Sequence, residues 1–277
     1  MEGRQNLSIA LVAGGGILPV EIARKLAALQ KPGLILSLGA DVKTLRPYAG
    51  KIVKMKTPNL GRAINEIKSY GAEKLIMAGF IPKKLIYCLP LFFDSLSRSV
   101  LRNALHDDHS LLGSIVSALE GEGISVIPYW QILPEFIAKS GQLSSRSPTE
   151  KELSDINYGR EILRVILPCS FGQGLCVADG SVVAVEAMEG TDNMITRAGG
   201  ISGHGVVVKM MKAGQDMRYD LPTVGTRTLE TMHKAGMTCL AVEAGKTLIL
   251  EPEKFFELSE KYKIAIWGIK DDTEISS

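Results

Sequence analysis

The stretch "ALVAGGGILPVEIARKL", residues 10–26, decides the fold of the first half of this chain. A small apolar run meets three consecutive glycines, then Ile-Leu-Pro, then an amphipathic helical pattern. This reads as strand, tight turn and helix. Gly14 and Gly16 stand at the first two glycine positions of a G-x-G-x-x-G turn, and Pro19 takes the third. Proline suits the first turn of a helix, so the strand–turn–helix geometry survives. Glycines permit positive φ and close backbone approach, and a helix N-terminus offers N–H donors to an anion. What fails is the dinucleotide fingerprint. In "LILSLGAD" the first acid, Asp41, comes only beyond Gly39, whereas a ribose-binding acid sits at the strand end. Two readings stay open: a phosphate- or nucleotide-binding turn, and a purely structural one.

Outward from this stretch, strand and helix signals alternate. "GLILSL" and "KLIMAGF" read as strands, "LGRAINEIKSY" as a helix ending at Gly71, 94–105 and 109–120 as helical patterns, and "ISVIP" as a further strand. Such alternation argues for a parallel sheet with helices on its faces. The segment 131–148 breaks the pattern with prolines, a glycine and serines, and reads as a connector. It separates an N-terminal domain (1–130) from a C-terminal one (149–277). Ser147, Pro148 and Glu150 suggest an N-cap, a first-turn proline and a capping-box acid for the helix that follows. The second half has another texture. "GLCVADGSVVAVEA" is a hairpin around Ala178-Asp179-Gly180. "GVVVKMM", "TCLAVEA", "KTLILE" and "KIAIWGI" are strands, and "TRTLETMHKAG" is a helix with Gly236 past its end. The expected class is α/β: two α/β domains, a Rossmann-like parallel sheet followed by a mixed sheet.

Composition narrows the function classes. The chain has 277 residues, is 45% hydrophobic and 22% charged, and carries a formal net charge of +2. That balance, with scattered basic residues, gives no bulk field for nucleic acid. Cys88, Cys169, Cys176 and Cys239 form no C-x-x-C pair, so they read as small buried hydrophobes in a reducing compartment. The N-terminus does not read as a signal peptide, and no run approaches the roughly 18 apolar residues of a membrane span. A soluble, cytoplasmic protein is expected.

Four stretches carry chemistry. In "LHDDHSLL" Asp107 and Asp108 lie between His106 and His109, where they either cap a helix or contact a metal or ribose. In "VEAMEGTDNMITR" a strand ends in Glu186 and Glu189, and Gly190-Thr191-Asp192 opens a helix. That corner either caps the helix or gathers N–H groups, a hydroxyl and carboxylates around a phosphate or a hydrated Mg²⁺. "KMMKAGQDMRYDLP" packs Lys209, Lys212, Gln215, Asp216, Arg218 and Asp220 between a strand and a helix, with Gly214 and Pro222 shaping the loop. Three cations and two carboxylates suit a pyrophosphate with a divalent metal, although mixed charge is also what an ordinary surface loop carries. The apolar run "YCLPLFFDSL" (87–96) is either core or a groove for aliphatic chains. No G-x-S-x-G elbow or nucleophilic triad is visible.

Taken in order, "GGGILP", "DDHSLL", "GQGLCVADGSVVAVEAMEGTDNMITR" and "GQDMRYDLPTVGTRTLE" resemble the soluble UDP-2,3-diacylglucosamine pyrophosphatases of lipid A biosynthesis over nearly the whole chain. "AVEAMEGTD" and "RYDLPTVG" are the specific blocks. The chain departs from the family pattern at "SFGQ", where the family often has Asp-Ile-Gly-Gln, and at "FIPKK", where it often carries Arg-Pro. The resemblance implies a two-domain enzyme with its lipid-linked nucleotide held between the domains. It implies hydrolysis to UMP and 2,3-diacylglucosamine 1-phosphate with Mg²⁺, Mn²⁺ being an equally suitable oxygen-liganded ion.

It places the essential aspartate at Asp220; the residues themselves make Asp216 the second catalytic candidate and Asp220, Asp192 and Glu189 the candidate metal ligands. Expected substrate contacts are Gly14, Gly15, Gly16, Leu18 and Gly79 in the first domain, with Asp108. In the second they are Gln173, Gly190, Thr191, Lys209, Lys212, Gln215 and Arg218. The substrate's lipid nature implies work at the inner face of the inner membrane without an anchor, and a homo-oligomer is compatible with all of this. Two alternatives remain at this level: a nicotinamide-dependent oxidoreductase, and a non-catalytic nucleotide-sugar binding protein.

Overall fold

The computed structural model describes residues 9–29, 33–81, 96–97, 108–169, 171–212 and 214–270, with side chains of the fourth helix from residue 111. The apolar stretch 87–95, Asp107, Ser170, Cys88 and most of the helical pattern at 94–105 lie outside the described residues. The chain divides into two compact units, Met1–Leu133 and Pro134–Ser277.

The first unit is built on five parallel strands. They are β1 (Ile9–Ala13), β2 (Leu34–Ser37), β3 (Lys51–Lys54), β4 (Lys74–Ala78) and β5 (Ser125–Val126), in the order β3-β2-β1-β4-β5. Its helices are α1 (Leu18–Ala28), the single turn α2 (Val42–Leu45), α3 (Leu60–Tyr70) and α4 (Asp108–Gly121). β1 and β2 are buried almost throughout, and apolar except for Ser37, because both faces of a parallel sheet are covered. Local chemistry sets the helix ends. The Asn59 side chain accepts the Arg62 N–H at the start of α3, and Gly71 ends it in the left-handed conformation at φ 75°.

The second unit holds a six-stranded sheet in the order β6-β13-β11-β9-β7-β8. Here β6 is Gly141–Gln142, β7 Gly174–Ala178, β8 Ser181–Val185, β9 Gly205–Lys209, β11 Met237–Glu243 and β13 Ala265–Ile269. A separate parallel pair joins β10 (Thr223–Val224) to β12 (Leu248–Ile249). β9, β11 and β13 are mutually parallel, and β7 runs against β9 and β8. The sheet is therefore mixed. The β7–β8 hairpin turns at Asp179 (φ 54°) and Gly180 (φ 72°), the double positive φ that a two-residue primed turn requires.

Period-2 alternation sorts the core into two faces. Cys176, Val207, Leu240 and Val242 pack on one side with α6 (Thr191–Ser202), α7 (Thr226–Ala235) and α8 (Pro252–Tyr262). Leu175, Val177, Val206, Val208, Cys239 and Ala241 face α5 (Glu150–Ile166) on the other. The two strand cysteines are core residues: burial pushes the Cys176 thiol up to about 12 and raises that of Cys239 as well. No helix among the described residues is long and apolar enough to cross a membrane.

Two local expectations are corrected. Part of the segment read as a connector is built into the second unit, where β6 pairs antiparallel with β13. The N-cap of α5 is Thr149, not Ser147. Its hydroxyl accepts the Glu152 N–H and the Glu152 carboxylate accepts the Thr149 N–H, a complete capping box. Ser147 and Glu150 have the same spacing, but the reciprocal bonds are made by Thr149 and Glu152, and Pro148 precedes the cap.

Glu152 also binds Arg146 at 2.7 Å and the Thr238 hydroxyl at 2.6 Å. Burial pulls its pKa upward, but Arg146, Thr238 and the Thr149 N–H outweigh this and hold it below the ordinary 4.5. The resulting stability is fully present above pH 4.5 and is lost as pH falls through the folded-state value. Replacing Glu152 by Ala should cost about 1–3 kcal/mol near neutral pH. Denaturant unfolding between neutral pH and pH 3 should show the difference between wild type and variant shrinking on the acid side.

In the first unit, a Cβ on Gly79 would lie 2.6 Å from Pro19 Cγ and 2.7 Å from the Gly15 carbonyl oxygen, at a φ of 86°. Gly79→Ala should therefore destabilise the protein by about 2–4 kcal/mol, read as a lowered Tm.

Candidate active site at the strand ends

The sheet polarity of the second unit gathers its polar residues. β8, β9, β11 and β13 point the same way and β7 the opposite way. One edge therefore carries the ends Val185, Lys209, Glu243 and Ile269 together with the start of β7 at Gly174. Carboxyl ends of parallel strands are where open α/β sheets bind ligands.

Lys209 is the centre of the first cluster. It is only 7% exposed, and its ammonium donates to Thr191 Oγ1 at 2.9 Å and to the Thr223 carbonyl at 3.2 Å. Burial lowers its pKa, while the nearby charges of Glu186 and Asp192 act in the opposite direction. The Thr191 hydroxyl donates onward to Glu186 Oε1 at 2.8 Å, and Glu186 Oε2 accepts the Gln173 N–H at 3.3 Å. Glu186 is itself buried, and its carbonyl lies so near Gly172 that a Cβ there would sit 2.0 Å from the oxygen. Gly190 (φ 81°) turns the chain into α6. Asp192 in the first turn of α6 pairs with Arg227 Nε at 2.8 Å. Glu189 pairs with Arg197, whose guanidinium also donates to the Val185 carbonyl at 2.9 Å.

The second cluster is the loop from Met210 to Pro222. The Gln215 side-chain oxygen receives the Lys212 N–H and the Gln173 amide, both at 2.9 Å. Buried Glu243 accepts the Met211 N–H at 2.8 Å and the Lys246 ammonium at 2.9 Å. Asp216 builds the next turn. Its carboxylate accepts the Arg218 N–H at 2.9 Å and grips the Arg218 guanidinium through Nε and Nη2 at 2.7–3.1 Å. The N–H groups of Tyr219 and Asp220 donate to its carbonyl at 3.3 and 3.1 Å. Burial pulls the Asp216 carboxyl upward, but Arg218 holds it below the usual carboxylate range. Desolvation first, then the Asp216 charge, push the Tyr219 phenol up to about 12.

Gln173, Thr191, Lys209, Lys212 and Gln215 are thus joined through Glu186 and Gln215, while Asp216, Arg218 and Asp220 share one turn. Glu243 and Thr223 had gone unremarked in the sequence. The signal for Glu243 was an acid closing an otherwise apolar strand; Thr223 contributes only a carbonyl, which no side-chain pattern reveals.

In the first unit, Gly14, Gly15, Gly16, Leu18 and Gly79 lie at the ends of β1 and β4, where the strand order reverses. The Gly14 and Gly15 N–H groups donate to the Ala78 and Phe80 carbonyls at 2.8 and 2.7 Å. A Cβ on Gly14 would come within 2.7 Å of Gly79, so these two glycines permit mutual backbone approach; Gly16 (φ 95°) faces open space. At the end of β2 stands Ser37, whose hydroxyl donates to the Ala40 carbonyl, and Asp41 caps α2. Asp108 begins α4, and its side chain lies outside the described residues.

Comparison with known families covers both units. The model of the LpxI N-terminal domain matches residues 8–136, and that of the LpxI C-terminal domain matches residues 139–267. The chain belongs to the LpxI family. A relative from Caulobacter vibrioides, UDP-2,3-diacylglucosamine pyrophosphatase LpxI, is 28% identical over 273 residues, covering 94% of this chain and 97% of that protein. Among solved structures, N5-carboxyaminoimidazole synthetase from Staphylococcus aureus aligns at a TM-score of 0.24 and 14% identity, over 65% of this chain and 41% of that one. The biotin carboxylase domain of 2-oxoglutarate carboxylase from Hydrogenobacter thermophilus aligns at 0.26 and 13%, over 63% and 35%. Scores this low carry no argument about fold or function.

Thr191→Val keeps the shape of this LpxI-family side chain but removes the hydroxyl shared by Lys209 and Glu186. It should destabilise by about 1–3 kcal/mol in denaturant titration, and Thr191→Ser should recover most of the loss.

Proposed function

We propose that this chain hydrolyses the pyrophosphate bond of UDP-2,3-diacylglucosamine, giving UMP and 2,3-diacylglucosamine 1-phosphate. The observation that carries this reading is the family match across both units together with the near full-length relative bearing that activity in its name. A glycine turn alone supports far less, since G-x-G turns serve many ligands. The nicotinamide alternative has no acid at the end of β2 to take a ribose, because Ser37 stands there.

The mechanism follows from the residues at the strand edge of the second unit. Lys212 and Arg218 lower the electrostatic cost of bringing pyrophosphate oxygens together with an attacking water. Asp220 orients that water for in-line displacement at one phosphorus while the other phosphate leaves. Asp216 keeps Arg218 and the turn in place. Lys209, buried beneath Thr191, holds the corner at Gly190 in shape. Within the first unit, Gly16 and the first turn of α1 at Leu18 are assigned to nucleotide binding, because the Gly14 and Gly15 N–H groups already serve the Ala78 and Phe80 carbonyls and Gly79 packs against Gly14.

Asp220, Asp192 and Glu189 are hard oxygen donors of the kind a divalent ion takes, but Asp192 is paired with Arg227 and Glu189 with Arg197, and no group of three His, Cys, Asp or Glu side chains gathers among the described residues. Mg²⁺ is commonly held by one or two carboxylates, with water and substrate phosphates completing its shell. When bound there, such an ion supplies neutralisation of phosphoryl charge. The work is assigned to the cytoplasmic face of the inner membrane, where a lipid-linked substrate is met without a spanning anchor.

The test is UMP release from UDP-2,3-diacylglucosamine by purified protein with Mg²⁺, with Mn²⁺ and with EDTA. Release should require metal. Asp220→Asn should lose about 100-fold or more in kcat in a protein that a thermal melt shows to be folded. Asp216→Asn should lose Tm as well as activity, because its carboxylate shapes the turn. An Asp220→Asn enzyme with undiminished turnover would remove Asp220 from the chemistry. A folded wild type releasing no UMP under any of these conditions would overturn the hydrolase reading.

A further inference from the structure

The loop that carries Asp216, Arg218 and Asp220 leaves β9 through successive backbone amides that are each caught by a different residue. The Met210 N–H donates to the Gln173 carbonyl at 2.9 Å, the Met211 N–H to Glu243 Oε2 at 2.8 Å and the Lys212 N–H to Gln215 Oε1 at 2.9 Å. Pairing of β9 with β11 stops where Lys209 stands opposite Val242. Glu243, the last residue of β11, carries the connection further with its side chain, because Met211 lies beyond the end of β9 at Lys209. The other carboxylate oxygen accepts the Lys246 ammonium at 2.9 Å. Lys246 follows a turn that is itself fastened: the Ala244 N–H donates to the Ile269 carbonyl and the Gly245 N–H to the Ala138 carbonyl, both at 2.9 Å. Glu243 is only 5% exposed. Burying a carboxylate is costly unless its oxygens find donors, and an apolar residue would close β11 without that cost. A metal cage does not account for the acid, since no group of three His, Cys, Asp or Glu side chains gathers among the described residues. What it does hold is one amide at the root of the charged loop.

We propose that Glu243 is a positioning residue of the hydrolysis: its carboxylate, steadied by Lys246, fixes the Met211 amide and so sets how the loop presents Lys212, Arg218 and Asp220. The proposal rests on the functional reading above for the role of Asp220, and adds to it a residue that acts through the loop rather than on the reacting atoms. The path from anchor to chemistry is short and made of hydrogen bonds. Gln215, whose side chain holds the Lys212 N–H, is tied to the Gln173 amide at 2.9 Å, and its own N–H returns to the Lys212 carbonyl at 3.3 Å. Asp216 follows directly, and its carbonyl receives the Asp220 N–H at 3.1 Å. A displacement at Met211 is therefore passed along the loop to Asp220. Misplacing a reacting group by about 1 Å costs on the order of 100-fold in rate. Binding energy spread over the rest of a large substrate changes much less. The signature of such a residue is a fall in kcat at nearly constant KM.

The experiment uses the full chain with Mg²⁺ and measures UMP release from UDP-2,3-diacylglucosamine. It compares wild type, Glu243→Gln, Asp220→Asn and the double variant, each shown by a thermal melt to be folded. Glu243→Gln keeps the shape of the side chain but leaves one oxygen for two donors and turns an NH₂ group toward one of them. It should lower kcat about tenfold or more while KM changes by less than about threefold. In the Asp220→Asn background the same change should lower kcat by less than about twofold, because the group being positioned is gone. A merely structural role gives the same factor in both backgrounds, and that result overturns the proposal. An unchanged kcat overturns it too, as does a rise in KM alone, which would make Glu243 part of substrate binding. Full turnover by Asp220→Asn overturns the assignment of Asp220 and the proposal with it; a crippled Asp220→Asn with equal factors in both backgrounds overturns the proposal only. Amide hydrogen exchange, followed residue by residue, gives a readout free of activity. The Met211 amide should be protected in the wild type, and Glu243→Gln should speed exchange at Met211, Lys212 and Asp220 while β9 and β11 stay protected. A wild-type Met211 amide that exchanges as fast as an unstructured one overturns the proposal. Should Glu243→Gln fail to fold, Glu243→Asp keeps the charge and withdraws the carboxylate by one methylene, and it is taken through the same measurements with the same expected result.

Discussion

An ammonium group taken out of water must find acceptors, and the second unit is organised around how Lys209 finds them. Its two partners are the Thr191 hydroxyl, at the start of α6, and the Thr223 carbonyl, at the start of β10. The second bond matters most for architecture. Lys209 and Thr223 flank the charged loop on either side, so a single side chain pins together the two ends of the segment carrying Asp216, Arg218 and Asp220. Gln215 fastens the middle of that segment to Gln173. A loop held at its ends and its centre keeps its charged groups in place without lying inside a regular element. Burying a charge for this purpose is costly, and its cost is offset only while every partner remains in place.

The first unit meets a different constraint. Its two glycine-bearing loops approach each other so closely that neither Gly14 nor Gly79 has room for a side chain. The G-x-G pattern, read as a ligand cradle, is here also a packing requirement between β1 and β4. The two roles are not rivals. Close approach of two strand ends draws both loops together at the reversal of strand order, and Gly16 then opens the helix on the outward side. Packing accounts for Gly14 and Gly79, and exposure to a ligand is left to Gly16 and the first turn of α1.

Local chemistry was legible and long-range chemistry was not. Asp179-Gly180 announces a primed hairpin turn because the backbone there needs two positive φ angles, and Gly71 and Gly236 announce helix ends for a similar reason. The α/β class and the mixed character of the second sheet follow from period and texture. The start of α5 reads two ways because Ser147 with Glu150 and Thr149 with Glu152 both fit the capping-box pattern, and only the bonds between Thr149 and Glu152 decide between them. The two-residue strand β6 has no periodicity to read, since its place is fixed by β13 alone. Lys209 shows the larger limit. In the sequence it is one cation among several in a charged loop. Its burial depends on α6 and β10 closing over it, and no window of neighbouring residues contains that information.

One strand explains why two unlike chemistries adjoin. Along β9, Val207 packs toward α6 and α7, while Val206 and Val208 face α5. The same parity carries Lys209 to the α6 side, where it meets Thr191, and Met210 to the α5 side, where it packs with the core and, with Leu167, Met217 and Ile269, floors a concavity of about 450 Å³ rimmed by Arg160, Arg164, Lys246 and Lys270. Side-chain alternation in a strand thus sends a buried cation and an apolar floor to opposite faces of the sheet at successive positions. A slip of one residue in the pairing of β9 with β11 would exchange them, placing methionine under Thr191 and an ammonium on the hydrophobic floor. Both misplacements are unfavourable, so the polar corner and the apolar concavity reinforce a single register. The arrangement that supports the proposed chemistry is thereby also one that the hydrophobic core enforces.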